Sequence, residues 1–194
     1  MTSATVDTAA LTELWDRRWP GQSKLPYELR DARDRWVRFH ALPESKRYPE
    51  RESEYATVLR RHNTVLTELA DGGDLLLMTS GYSDGPEQAG AAAMVPAHRD
   101  AAYWTTICID DQPPFESYLH LFVSRIPWSP GALDPLLRQV ADWAIANVVV
   151  ADVDLRWLYH PYDGGMDVIL GSSCARDELR ERHRDWLSQR SDGM

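Results

Sequence analysis

Asp163-Gly164 sits inside the alternating stretch Leu155-Arg156-Trp157-Leu158-Tyr159-His160-Pro161-Tyr162-Asp163-Gly164-Gly165-Met166-Asp167-Val168-Ile169-Leu170. An Asp-Gly pair between two such runs is a strong signal for a β-hairpin with a two-residue type I′ turn, whose central residues need positive φ. With that pair at the tip, Trp157 opposes Leu170, Tyr159 opposes Val168 and Pro161 opposes Met166. All six then share one apolar face. Slipping the register by one residue would put Asp167 on that face opposite Pro161, so the two-residue loop is favoured. The other face sets His160 opposite Asp167, close enough for a hydrogen bond. An isolated hairpin is marginal in water, so this one implies further strands or helices against its apolar side.

The rest of the chain supplies them. In Trp36-Val37-Arg38-Phe39-His40-Ala41-Leu42, the residues Val37, Phe39 and Ala41 alternate with Trp36, Arg38 and His40, a half-buried strand. Tyr55, Val58, Leu59, His62, Val65, Leu66 and Leu69 recur at helical spacing, with glutamates in the first turns and Gly72-Gly73 as the stop. Asp74 to Thr79 reads as a buried strand, and residues 80–100 as a long, small-residue connection, the most mobile part. Strands at Tyr103–Ile109 and Tyr118–Ile126 flank the turn residues Asp110-Asp111-Gln112-Pro113-Pro114, which implies an antiparallel pair. Cys108, between two isoleucines, reads as a buried thiol. Ser129-Pro130 opens a second long helix carrying Leu133 to Ala144, Val148 begins a strand, and a last helix runs from about Ala175 to Ser188 with Ser173 as its cap. Near the start, Leu11, Leu14, Trp15 and Trp19 form one helical stripe.

Consecutive strands joined by short turns predict an α+β fold: a largely antiparallel sheet with about four helices packed on it, in a single compact domain. Residues 1–30 read as an N-terminal helical extension and 31–194 as the α+β domain. A chain of 194 residues that is 43% hydrophobic can bury a sizeable core without staples. No apolar run approaches a membrane span, and the N-terminus has neither a basic nor an apolar leader region. Two cysteines do not make a disulfide framework, and reduced thiols in the cytoplasm are expected.

The charge is uneven. Residues 1–62 hold twelve Lys/Arg against ten Asp/Glu, and the remainder hold nine against twenty, for a net charge of −9. An acidic body of this kind disfavours nucleic acid and anionic membrane and favours a basic protein partner. The run Arg30-Asp31-Ala32-Arg33-Asp34-Arg35 alternates in sign and reads as a solvated face.

Signatures of a phosphate-binding loop, a dinucleotide fold, a zinc protease, a serine hydrolase or an EF-hand are missing, so no cofactor and no metal are expected. The candidate partner- or ligand-binding residues are His160, Tyr162, Asp163 and Asp167 on the hairpin, with Trp36, Arg38 and His40 on the polar side of the early strand. A histidine beside a carboxylate is how an imidazole is oriented for proton transfer or metal binding, and also how a sheet satisfies two polar groups. A metal site built from His40, His160 and Asp167 requires the two strands to be neighbours. A non-enzymatic binding protein is the leading expectation. The alternatives are a metal-assisted, hydrolase-like enzyme using His160, Asp163 and Asp167, and a small-ligand sensor closed by residues 80–100.

The run Tyr162-Asp163-Gly164-Gly165-Met166-Asp167-Val168-Ile169, followed by Leu179 and Trp186-Leu187, resembles the C-terminal part of the bacterial domain of unknown function 3885 family. Trp36-Val37-Arg38-Phe39, leading into Tyr55 to Arg61, is similar to that family's upstream strand and helix. The resemblance covers roughly residues 33–190. Gly164 stands where that family more usually carries an arginine, so no role of that arginine transfers. The resemblance implies a small bacterial cytoplasmic protein and brings no activity; analogy with families of this sort suggests an immunity-type or adaptor role.

Overall fold

In the computed structural model, which describes residues 5–87, 98 and 100–188, the hairpin forms in the expected register. Trp157–Tyr162 (β6) and Gly165–Leu170 (β7) pair Trp157 with Leu170, Tyr159 with Val168, and His160 with Asp167. The turn itself differs, because neither Asp163 nor Gly164 has positive φ. Tertiary contacts decide this: the Gly164 carbonyl accepts from Ala41 N at 2.9 Å, and the Asp163 side chain is held by Arg47. The strand Trp36–His40 (β1) lies so close to β7 that a Cβ on Gly165 would stand 2.0 Å from the Phe39 carbonyl oxygen. Only glycine fits there.

The remaining strands are Leu75–Ser83 (β2), Ala102–Asp110 (β3), Ser117–Ile126 (β4) and Val149–Asp152 (β5). They form one seven-stranded sheet in the order β1-β7-β6-β5-β2-β4-β3, with every pairing antiparallel. Thr8–Arg18 (α1), Glu52–Ala70 (α2), Asp134–Ala141 (α3) and Ser173–Arg182 (α4) complete an α+β architecture.

Both sheet faces are covered. One packs Val37, Phe39, Leu77, Val150, Tyr159 and Val168 against Val65 and Leu66 of α2, Leu136 and Val140 of α3, and Leu179 of α4. The other packs Leu76, Leu121, Val149, Leu158 and Ile169 against Leu11 and Trp15 of α1, with Trp19 and Leu29. Trp19 also ties α1 to the hairpin's base, its Nε1 donating to the Leu155 carbonyl at 3.0 Å. Truncating a buried aromatic such as Phe39 to alanine typically costs about 3–5 kcal/mol.

Several local expectations give way. The helix expected from Ser129 begins only at Asp134 and ends at Ala141. Gly131 has positive φ, so its N–H turns to the Asn63 side chain at 2.7 Å, and Trp143 with φ 55° prevents continuation to Ala144. The last helix starts two residues early, capped by Ser172 and not Ser173, and its final turn tightens to a 3₁₀ segment at Arg184–Trp186. Cys108 is exposed, because β3 is an edge strand whose outward residues face solvent. Within 80–100, the first four residues extend β2, and 88–97 and 99 lie outside the described residues. Among the described residues no helix is long and apolar enough to cross a membrane.

Candidate functional site

Sheet order brings the candidate residues together. Because β1 pairs with β7 and β7 with β6, Arg38, Asp167 and His160 form one row across three strands. His40, Gly165 and Tyr162 form the next. Alternation puts both rows on the same sheet face, beyond the apolar Leu158–Ile169 pair. The 3₁₀ segment Pro26–Asp31 and the loop after β1 close the sides. The result is a cleft of about 400 Å³ lined by Tyr27, Arg30, Arg38, His40, Ser45, Arg47, His160, Tyr162, Asp163, Gly164 and Asp167.

Both carboxylates are forked by guanidinium groups. Arg38 donates from Nε to Asp167 Oδ1 at 2.7 Å and from Nη2 to Oδ2 at 2.8 Å. Arg47 donates from Nε to Asp163 Oδ2 at 2.8 Å and from Nη2 to Oδ1 at 3.1 Å. Such bidentate pairs fix position as well as charge. The Arg38 guanidinium also lies 4.8 Å from the centre of the Tyr162 ring and 5.4 Å from that of Trp36. Burial works against the Arg38 charge, but the hydrogen bonds and the charge of Asp167 outweigh it and raise its pKa.

His160 and Asp167 are cross-strand partners as expected, yet they do not share a hydrogen bond. Arg38, arriving from the neighbouring strand, takes the carboxylate, and His160 Nδ1 instead donates to the Val148 carbonyl at 2.7 Å. Burial lowers the His160 pKa and holds the ring neutral. With Nδ1 protonated toward Val148, Nε2 carries the lone pair, and among the described residues it has no hydrogen-bond partner. His40 is likewise kept neutral, first by burial and then by Arg38 and Arg61. Burial raises the Tyr162 phenol well above its ordinary value, so it remains a donor.

A metal reading meets an obstacle in this geometry. His40, His160 and Asp167 do share one face, but the Arg38 cation already occupies the Asp167 carboxylate. Among the described residues no group of three or more His, Cys, Asp or Glu side chains is arranged to hold a metal ion.

The family model for a domain of unknown function, DUF3885, matches residues 25–191. The chain belongs to that family. The match contains every cleft residue, from Tyr27 to Asp167. No curated protein and no solved structure matches the chain. The DUF3885 cleft holds six of the seven residues singled out from the sequence, and Trp36 stands outside its lining, against Arg38.

Tyr27, Arg30, Ser45 and Arg47 were not legible as site residues. Arg30 reads locally as part of a solvated, alternating charge run, and Arg47 reaches the hairpin across 116 positions of sequence. Gly164 makes room for it, since a Cβ there would come within 3.3 Å of Arg47 Cγ. One local signal does exist: Glu44 and Ser45 adopt φ of 54° and 56° in succession. Left-handed backbone at two adjacent non-glycine residues is uncommon and concentrates at binding and catalytic loops.

Proposed function

We propose that this DUF3885 protein is a non-enzymatic binding protein of the immunity or adaptor kind, and that the arginine-lined cleft is its recognition site. The observation that carries this reading is the bidentate pairing of both cleft carboxylates with arginine. A hydrolase-like mechanism through His160, Asp163 and Asp167 asks for a carboxylate free to take a proton or a cation. Here each one orients a guanidinium instead, which is what a recognition site uses to hold donors at fixed angles.

Capture from a lysate of the native host tests it, with the wild type beside Arg30→Glu. Arg30 is exposed and has no ion partner among the described residues, so the variant keeps the fold. A stoichiometric species held by the wild type and lost from the variant is the expected result. A captured molecule that the wild type converts to product with turnover would overturn the non-enzymatic reading.

A basic protein partner on a second surface is also proposed, because the β3–β4 turn exposes carboxylates without cations. Asp110, Asp111 and Glu116 are exposed and have no ion pair among the described residues, and Phe115 between them is 75% exposed. Apolar area ringed by one sign of charge is the usual appearance of a docking patch. Reversing Asp110 and Asp111 to lysine should abolish capture of such a partner while leaving the cleft's ligand in place.

A further inference from the structure

Three properties of the cleft bear on ligand chemistry. It is a cationic island on a chain of net charge −9, with three guanidinium groups against two carboxylates. Arg38 and Arg47 are committed to their aspartates, but Arg47 uses only Nε and Nη2 in doing so, and Arg30 has no partner among the described residues. The cleft therefore keeps uncommitted guanidinium donors. Against these stands an acceptor. His160 is 7% exposed, its Nδ1 is tied to Val148, and its Nε2 lone pair has no partner among the described residues. That nitrogen is not sealed from solvent but opens to the cleft, so it is an acceptor that a ligand proton can reach.

A carboxylate offers acceptors alone and would leave that imidazole unsatisfied. A sulfate has the same limitation near neutral pH. A phosphate monoester has its second pKa near 6, so its monoanion, still populated at the slightly acid pH of about 6.5, carries several acceptor oxygens together with a hydroxyl proton. Its oxygens match the arginine forks, and its P–O–H matches an imidazole lone pair. The Tyr162 hydroxyl, kept protonated by burial, adds another donor on the same wall. The volume of about 400 Å³ suits a headgroup with a small substituent.

We propose, resting on the binding reading above, that the cleft takes a phosphate monoester, with Arg30 and Arg47 on its oxygens and His160 Nε2 accepting its proton. The phosphate group belongs either to a small molecule or to a phosphorylated side chain, and the same chemistry serves both.

The test is calorimetric titration of the whole protein at pH 6.5 with inorganic phosphate, sulfate, O-phosphoserine and a phosphoserine peptide. Wild type is run beside Arg30→Gln, and thermal denaturation confirms that the variant remains folded. Phosphate should bind saturably and about tenfold or more tightly than sulfate, and Arg30→Gln should weaken it by about tenfold. Equal affinity for sulfate and phosphate overturns the role of His160, and binding untouched by Arg30→Gln overturns the site. No saturable binding by any of the four overturns the proposal outright. If phosphate fails while lysate capture still depends on Arg30, the binding reading stands and the phosphate assignment falls. A peptide bound tenfold more tightly than O-phosphoserine supports a protein-borne phosphate, and equal affinities support a small molecule.

Discussion

The two ends of the sheet use charge in opposite ways. At the β1–β7–β6 end, Asp163 and Asp167 are mostly buried and each is clamped by an arginine at 2.7–3.1 Å. At the β4–β3 end, Asp110, Asp111 and Glu116 stand in solvent with no cation among the described residues. Desolvation explains the difference. A carboxylate removed from water needs a counter-charge to remain tolerable, whereas an exposed one is solvated already and gains little from a partner. The first end therefore holds its carboxylates in fixed geometry, and the second leaves its carboxylates to solvent.

The largest effect should come from breaking the inner pair. The Arg38 and Asp167 side chains are 15% and 4% exposed, so Arg38→Leu strands a carboxylate in a low-dielectric site. A loss of about 3 kcal/mol or more in urea denaturation is expected, with Arg38→Leu/Asp167→Leu recovering most of it. Asp110→Asn at the far end should change stability by less than about 0.5 kcal/mol. If the two single variants were equally harmful, the contrast between the ends would collapse.

Acid should act on both halves through buried histidines. His62 meets the Tyr159 hydroxyl on the cleft half, and burial pushes its pKa down to about 3. His98 meets Ser124 on the outer half and is pushed by burial to about 4. The folded pKa lies below the unfolded value in each case, so the unfolded chain binds the extra proton. Stability is therefore complete above about pH 6.5 and is lost as pH falls, at up to about 1.4 kcal/mol per unit for each histidine. Urea midpoints between pH 7.5 and 4.5 should show this decline. His62→Gln and His98→Gln should each flatten it by about one proton, and a variant with unchanged slope would show that its histidine is not a source of the acid sensitivity.

What the sequence made legible follows the range of the forces involved. Alternation and a two-residue loop are local, so the His160–Asp167 register could be read directly. The partner of Asp167 could not, because Arg38 lies 129 positions away and reaches it only once β1 has paired with β7. The turn departs from the type that Asp-Gly prefers for the same reason: a backbone contact from Ala41 overrides the local preference. The short α3 was hidden by an apolar stripe whose ends are set by Gly131 and Trp143. At the far end, Cys108 looked buried because its neighbours are isoleucines, and only the strand order puts it on an edge.

Arg47→Ala tests an intermediate case. Its partner Asp163 is mostly buried, but the Arg47 side chain is 56% exposed, so water screens the pair and replaces part of it. A stability loss of about 1 kcal/mol or less is expected. Loss of Arg47 also removes the guanidinium that orients the hairpin tip, so phosphate affinity should fall more than stability does. A stability loss as large as that of Arg38→Leu would mean that the cleft is rigid up to its rim.

The smallest stability effect, and the sharpest contrast, belongs to Phe115→Ser. Phe115 is 75% exposed, so little apolar area leaves a core when its ring is removed, and the melting temperature should move by no more than a degree or two. The same substitution removes the largest apolar feature among the carboxylates of the β3–β4 turn. If that turn docks a basic partner, the ring supplies the contact area and Asp110, Asp111 and Glu116 supply attraction at longer range. Phe115→Ser should then act mainly on the dissociation rate, and the charge reversals on association and its salt dependence. Surface plasmon resonance with a captured partner separates the two effects. A partner whose dissociation is indifferent to Phe115 would leave this end with solubility alone to account for its charge.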